Sequence, residues 1–206
     1  RSRGEQLGYE VEVLKVPQGA KPDNALTRQL QFRGVSGVLV LPLPWGIHGI
    51  GWDFSVFASA ALGRSLERPR IHQVSPHHSA NMIVLYRAIR EAGYQRIGLL
   101  LTRFQSEQVD HGWVAGFSRL QYEGETGALP VPQLKRLEAE SVRRFIRDHH
   151  PDALIMQETW ELKRLKHELG SEFARLPVFM SGRVASEGLP GMDECAESVG
   201  EIAMDV

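Results

Sequence analysis

The sequence predicts an α/β fold with parallel sheets, and three observations predict it. Short apolar runs alternate with segments of helical periodicity almost from end to end. Residues 35–41 (VSGVLVL) form a continuous run of β-branched residues and leucine, the pattern of a strand buried on both faces of a parallel sheet. Residues 71–101 read as strand, polar loop, helix and strand, a β-α-β unit of the length that a parallel crossover requires.

Each element follows in order. Residues 1–8 read as the end of a helix closed by Gly8, and 11–16 alternate into a strand before a turn at Pro17-Gln18-Gly19. Ala25, Leu26, Leu30 and Phe32 give 24–33 a modest helical stripe, which Gly34 stops. After the buried run, PLPWGIHGIGWD has no periodicity and must be a loop. Asp53 at its end can cap a short helix over 54–62.

The 71–101 unit places a strand at 71–74, a helix at 79–92 ended by Gly93, and a strand at 97–101. A loop is expected over 102–110. The next helix carries Trp113, Gly116, Phe117 and Leu120 at spacings of three and four. Residues 122–133, rich in glycine and proline, read as a surface connection. A polar helix over 134–149 turns Leu137, Val142, Phe145 and Ile146 inward and ends at Pro151. A strand at 153–156 precedes a helix striped by Trp160, Leu162, Leu165 and Leu169, which Gly170 ends. A strand at 177–181, a loop at 183–191 and a helix from 196 onward complete the chain. About seven strands suit two small lobes as well as one sheet.

Composition excludes several classes of function. The formal net charge is -1, so this segment has no basic face for phosphate contacts, and DNA binding would need another segment. A single cysteine, Cys195, excludes an internal disulfide and any multi-cysteine metal site. No apolar run reaches the length of a membrane span, and no signal peptide is visible. The chain opens on Arg1-Ser2-Arg3 and stops at Val206 within an apolar-periodic segment, which reads as a fragment incomplete at both ends.

The phrases and their order carry a resemblance. Leu7-Gly8-Tyr9 ends the first helix, 34–39 (GVSGVL) precedes the first loop, and Ala92-Gly93-Tyr94-Gln95-Arg96-Ile97-Gly98 leads into a strand. Gly116-Phe117, Pro151-Asp152-Ala153-Leu154-Ile155 and the closing GEIAMDV follow in register. This succession resembles the effector-binding domain of the lactose-repressor (LacI/GalR) family of transcription regulators. The resemblance implies two Rossmann-like lobes of the periplasmic-binding-protein type, one spanning 1–101 with a return at 192–206, the other 102–191. It implies a cytoplasmic homodimer that binds a carbohydrate-like effector and no cofactor, and that reaches operator DNA through a helix-turn-helix outside this chain. It implies no enzyme. A periplasmic solute-binding protein of a transporter has the same fold and is the alternative.

The chain also departs from that family. Trp113 stands where an arginine commonly grips a sugar hydroxyl, His77 where an acidic residue is common, and Glu158-Thr159 where an Asn-Asp phrase is usual. Gly182-Arg183 replace a frequent aspartate. These exchanges point away from the usual pentose or hexose contacts.

Ligands in such sheets sit at the carboxyl ends of strands, which makes His77 and His78 candidate contacts. Adjacent residues in an extended loop point apart, so a metal site is not expected of them. Solvated loop histidines are the plain reading. Pro44 and Trp45 lie in the loop after the buried strand, where an aromatic face can stack on a flat ligand. Trp113 and Trp160 begin helices, and their spacing fits core packing as well as a cleft. Phe104, Gln105, Glu158, Asp193 and Glu194 complete the candidate ligand contacts. No nucleotide-binding glycine loop and no serine nucleophile elbow occurs.

Overall fold

The computed structural model describes residues 3–15, 24–44, 46–182 and 188–206. Its backbone divides into two compact units, residues 1–76 with 195–206 and residues 77–194.

The first unit holds α1 (Arg3–Gln6), α2 (Asn24–Phe32), β1 (Gly37–Val40), β2 (Ala58–Leu62), β3 (His72–Val74) and α9 (Ala196–Asp205). Its strands are parallel in the order β1-β2-β3, with Gly37 opposite Ala58 and Ala60 opposite His72. A small core of Val40, Phe54, Ala61 and Leu66 gathers around β1 and β2. α9 packs on β2 and β3, and Arg3 reaches Asp205 at 2.7 Å to tie α1 to α9.

Here the structure corrects two readings. Asp53 does not cap a helix over 54–62. Its carboxylate accepts from the backbone and hydroxyl of Ser55 in a tight turn, and residues 58–62 (ASAAL) form β2. Alanine favours helix, but a strand lying between β1 and β3 satisfies two edges of backbone groups at once. Residues 10–15 form no strand, because their backbone finds no ladder partner among the described residues. The turn at Pro17-Gln18-Gly19 lies outside the described residues.

The second unit holds α3 (His78–Glu91), β4 (Ile97–Leu99), α4 (Arg103–Gln108), α5 (Gly112–Tyr122), α6 (Ala139–His149), β5 (Ala153–Met156), α7 (Thr159–Leu169), α8 (Ser171–Ala174) and β6 (Val178–Met180). The order is β4-β5-β6, all parallel. Every residue of β4 and β5 is buried. Alternation along the strands feeds two cores. Ile97, Leu99, Leu101, Ala153 and Ile155 meet α3 and α5, while Leu100, Leu154, Met156, Val178 and Met180 meet α6 and α7.

β4 therefore pairs with β5 and not with β3. Residues 71–101 are not one β-α-β unit; their two strands belong to different sheets. The breaks between the units fall at 76/77 and 194/195 in place of 101 and 191/192.

Three further segments differ from the sequence reading. The helix expected over 134–149 begins only at Ala139, so Leu137 is buried ahead of it and not on its face. Residues 103–108 are helical where a loop is expected, because Thr102 and Gln105 form a reciprocal capping box. Residues 127–129 are not a surface connection. Ile97 N donates to the Gly127 carbonyl at 2.8 Å and Leu129 N donates to the Ile97 carbonyl at 3.0 Å, so this segment lines the outer edge of β4. Ala128 and Leu129 are buried there. Among the described residues, no helix is long and apolar enough to cross a membrane.

Candidate functional site

The carboxyl ends of β4, β5 and β6 carry Thr102, Gln157 and Ser181. Thr102 is committed to structure: Gln105 N donates to its Oγ1 at 3.2 Å, and its own N–H donates to Gln105 Oε1 at 2.8 Å. The Gln105 amide then donates to Glu161 Oε2 at 2.6 Å, joining the first turns of α4 and α7. Glu161 is buried, and burial pushes its carboxyl above the usual carboxylate range. The Gln105 hydrogen bond opposes that rise, Glu158 adds to it, and Arg164 works against it.

Glu161 therefore costs stability above its folded pKa. The cost vanishes as pH falls through that value toward the ordinary 4.5, where both folded and unfolded chains take up the proton. Glu161→Gln, which keeps an acceptor for Gln105, is expected to stabilise the chain at pH 7 to 8 and to lose that advantage near pH 4.5. Urea unfolding of both proteins across this range checks it, and a gain independent of pH would refute it.

Gln157 and Ser181 extend β5 and β6 by one residue each. Met156 pairs with Met180, and Ser181 N donates to the Met156 carbonyl at 2.8 Å, so the two lie side by side. Gln157 Oε1 and Ser181 Oγ are buried with no hydrogen-bond partner among the described residues. Since Met156 and Met180 face α6 and α7, alternation assigns Gln157 and Ser181 to the face of α3 and α5.

That face also holds the predicted residues that come together. His77 caps α3, its Nδ1 accepting from Ala80 N at 3.2 Å, and its ring is exposed. His78 is buried, and its Nδ1 lies 2.8 Å from Glu194 Oε1. The Trp113 indole meets the His78 ring edge-on at a centroid separation of 5.2 Å. Trp113 is 2% exposed and part of the core, yet its Nε1 has no partner among the described residues. A buried donor without a partner costs about 1–3 kcal/mol, which an acceptor from a ligand would recover.

The remaining predicted residues are dispersed. Phe104 is half-buried on α4, Glu158 stands half-buried at the cap of α7 without a capping bond, and Asp193 is exposed. Trp160 is 59% exposed, so it leaves the stripe formed by Leu162 and Leu165. In the first unit Pro44 is exposed, and Trp45 lies outside the described residues. Glu161, Gln157 and Ser181 escaped the sequence reading. The signal available was their position, one to five residues past an apolar strand. Among the described residues, no three His, Cys, Asp or Glu side chains are placed to hold a metal ion. A depression of about 580 Å³ flanks the start of β6 between Tyr94, Lys166 and Pro190, and none of the predicted residues lines it.

No protein-family model and no curated protein matches the sequence. Solved structures do. A ribose operon repressor from Burkholderia thailandensis superposes with a TM-score of 0.67 at 18% identity, over 98% of this chain and 81% of that one. A LacI-family regulatory protein from Chloroflexus aggregans gives 0.66 at 15%, over 98% and 78%. This chain has the LacI-type fold. A periplasmic binding protein/LacI transcriptional regulator from Alkaliphilus metalliredigens, solved in complex with D-xylulofuranose, shares it at a TM-score of 0.64 and 10% identity, over 98% of this chain and 79% of that one. The LacI-type fold agrees with the resemblance carried by the sequence phrases and with its periplasmic-binding-protein-like architecture of parallel sheets.

Proposed function

We propose that this chain is the effector-binding part of a LacI-type, DNA-binding transcription regulator that works in the cytoplasm as a homodimer. Its effector is small and carbohydrate-like, held at the carboxyl ends of the strands. The observation that carries this reading is the group of buried polar atoms there: Gln157 Oε1, Ser181 Oγ and Trp113 Nε1, without partners among the described residues, near the His78–Glu194 pair. Hydroxyls of a sugar can accept from the indole N–H and bond to the amide and serine. Pro44 and Trp45, Phe104, Glu158, Trp160 and Asp193 stay in the proposal as outer contacts.

An effector of this kind acts by binding one hinge setting more tightly than another, which shifts the population of conformations. A coupling of about 1–3 kcal/mol changes operator affinity roughly 5- to 150-fold. The DNA-binding head is proposed to lie on a segment outside this chain. No catalytic step is assigned to the site.

A thermal-shift panel of pentoses, hexoses, D-xylulose, sugar phosphates and nucleobases tests the reading. A neutral sugar at 100 times its dissociation constant is expected to add about 2.7 kcal/mol of stability. A panel in which only nucleobases or phosphates shift the melting temperature would refute the carbohydrate class. The second reading, solute delivery to a transporter, is favoured by the binding-protein description of the Alkaliphilus neighbour. The sequence upstream of Arg1 separates the two: a helix-turn-helix supports the regulator, and a signal peptide would sink it.

A further inference from the structure

The chain passes between its two units twice, after Pro76 and after Glu194. Residues beside these two crossings meet inside the second unit, where His78 Nδ1 lies 2.8 Å from Glu194 Oε1. Their side chains retain 8% and 20% exposure. Surrounding residues are shaped to the pair. A Cβ on Gly112 would lie 2.8 Å from His78 Cβ, too close to fit without a shift, and one on Gly182 would lie 3.0 Å from Glu194 Oε2, close enough to push the carboxylate aside. Trp113 closes the other side of the His78 ring. The backbone next to Glu194 is strained as well: Cys195 has φ 51, a left-handed conformation that costs a residue bearing a Cβ.

We propose that the His78–Glu194 bond is a clasp that ties the two crossings into one mechanical element. Hinge motions concentrate backbone rotation in a few connecting residues. Two independent crossings could change their angles separately. With the clasp closed, rotation at one crossing must be matched at the other, and the strained angle at Cys195 is held in place. This inference rests on the division of the chain and the geometry of the pair, and it does not need the effector reading.

Amide hydrogen exchange on the full chain tests it without ligand. Three amides report. Asn81 N donates to the His77 carbonyl at 2.9 Å beside the first crossing, and Met192 N donates to the Met180 carbonyl at 3.0 Å beside the second. Leu100 N, bonded to the Ile155 carbonyl at 2.9 Å at the end of the β4–β5 pairing and itself fully buried, is the control. Glu194→Ala is expected to speed exchange at Asn81 and Met192 by about 10- to 100-fold and to leave Leu100 unchanged. His78→Phe, which keeps a ring against Trp113, should do the same. The double variant should be no faster than either single one, because both remove one shared interaction. Unchanged exchange at Asn81 in Glu194→Ala, or effects that multiply in the double variant, would overturn the clasp. Acceleration of Leu100 alongside the reporters would also overturn it, marking the pair as general support for the unit. Should Glu194→Ala fail to fold, Glu194→Gln keeps the shape and weakens the acceptor. About a threefold acceleration at Asn81 is then expected, and none overturns the proposal.

Discussion

Trp113→Ala is expected to destabilise the chain by about 3–5 kcal/mol, the cost of emptying a large buried aromatic site. Trp113 is 2% exposed, sits among the buried residues of α3, α5 and β4, and supports the His78 ring. Loss of the sugar-induced thermal shift in that variant would not by itself prove a contact, because the packing around His78 would be gone as well. Trp113→Phe separates the roles. It keeps a ring against His78, removes the N–H that has no partner among the described residues, and is expected to change stability by less than about 1.5 kcal/mol. If the indole N–H bonds the effector, Trp113→Phe loses most of the sugar-induced thermal shift. A full shift in Trp113→Phe would return Trp113 to the core alone. Urea unfolding together with the thermal-shift panel reads both quantities.

Gly116→Leu should be about as damaging, at about 3 kcal/mol or slightly more. A Cβ at Gly116 would lie 2.4 Å from the Ser79 carbonyl oxygen and 3.0 Å from Met82 Cβ. The first of these is backbone of α3, which cannot rotate aside as a side chain can. Relief requires α5 to move off α3, and the Trp113–His78 contact spans those two helices. The variant is therefore expected to lower the urea midpoint and to change Trp113 fluorescence even well below that midpoint. Wild-type fluorescence and an unchanged midpoint would show that the helix contact is looser than the geometry describes.

Much of the second unit was legible because its signals are local. The stripe of Trp113, Gly116, Phe117 and Leu120 is buried as its spacing requires. The 153–156 run forms a strand with every residue covered. The capping box at Thr102-Arg103-Phe104-Gln105 is equally local, but the loop expected over 102–110 overlooked it; it explains why 103–108 is helix. By contrast, ASAAL has no β-branched residue, and its role as β2 comes from its neighbours. The fate of the histidine loop shows the same division. Its position after a strand marked it for attention, but the split between an exposed cap at His77 and a buried partner at His78 depends on Glu194, which is 116 residues away along the chain.

The sequence by itself determined the α/β class, most helix faces and the buried strands β4 and β5, since periodicity and end signals act within a few residues. The 35–41 run, expected to be covered on both faces, is only partly buried as β1. Tertiary structure alone decided that β4 leaves β3 for β5, so that the chain changes unit at Pro76. An apolar run records that a strand is present. It does not record which edge it pairs with, because ladder hydrogen bonds join backbones and are indifferent to side-chain identity. The same holds for the site. Residue types named candidates, but only the meeting of distant elements brought His78, Trp113 and Glu194 together and placed Gln157 beside Ser181.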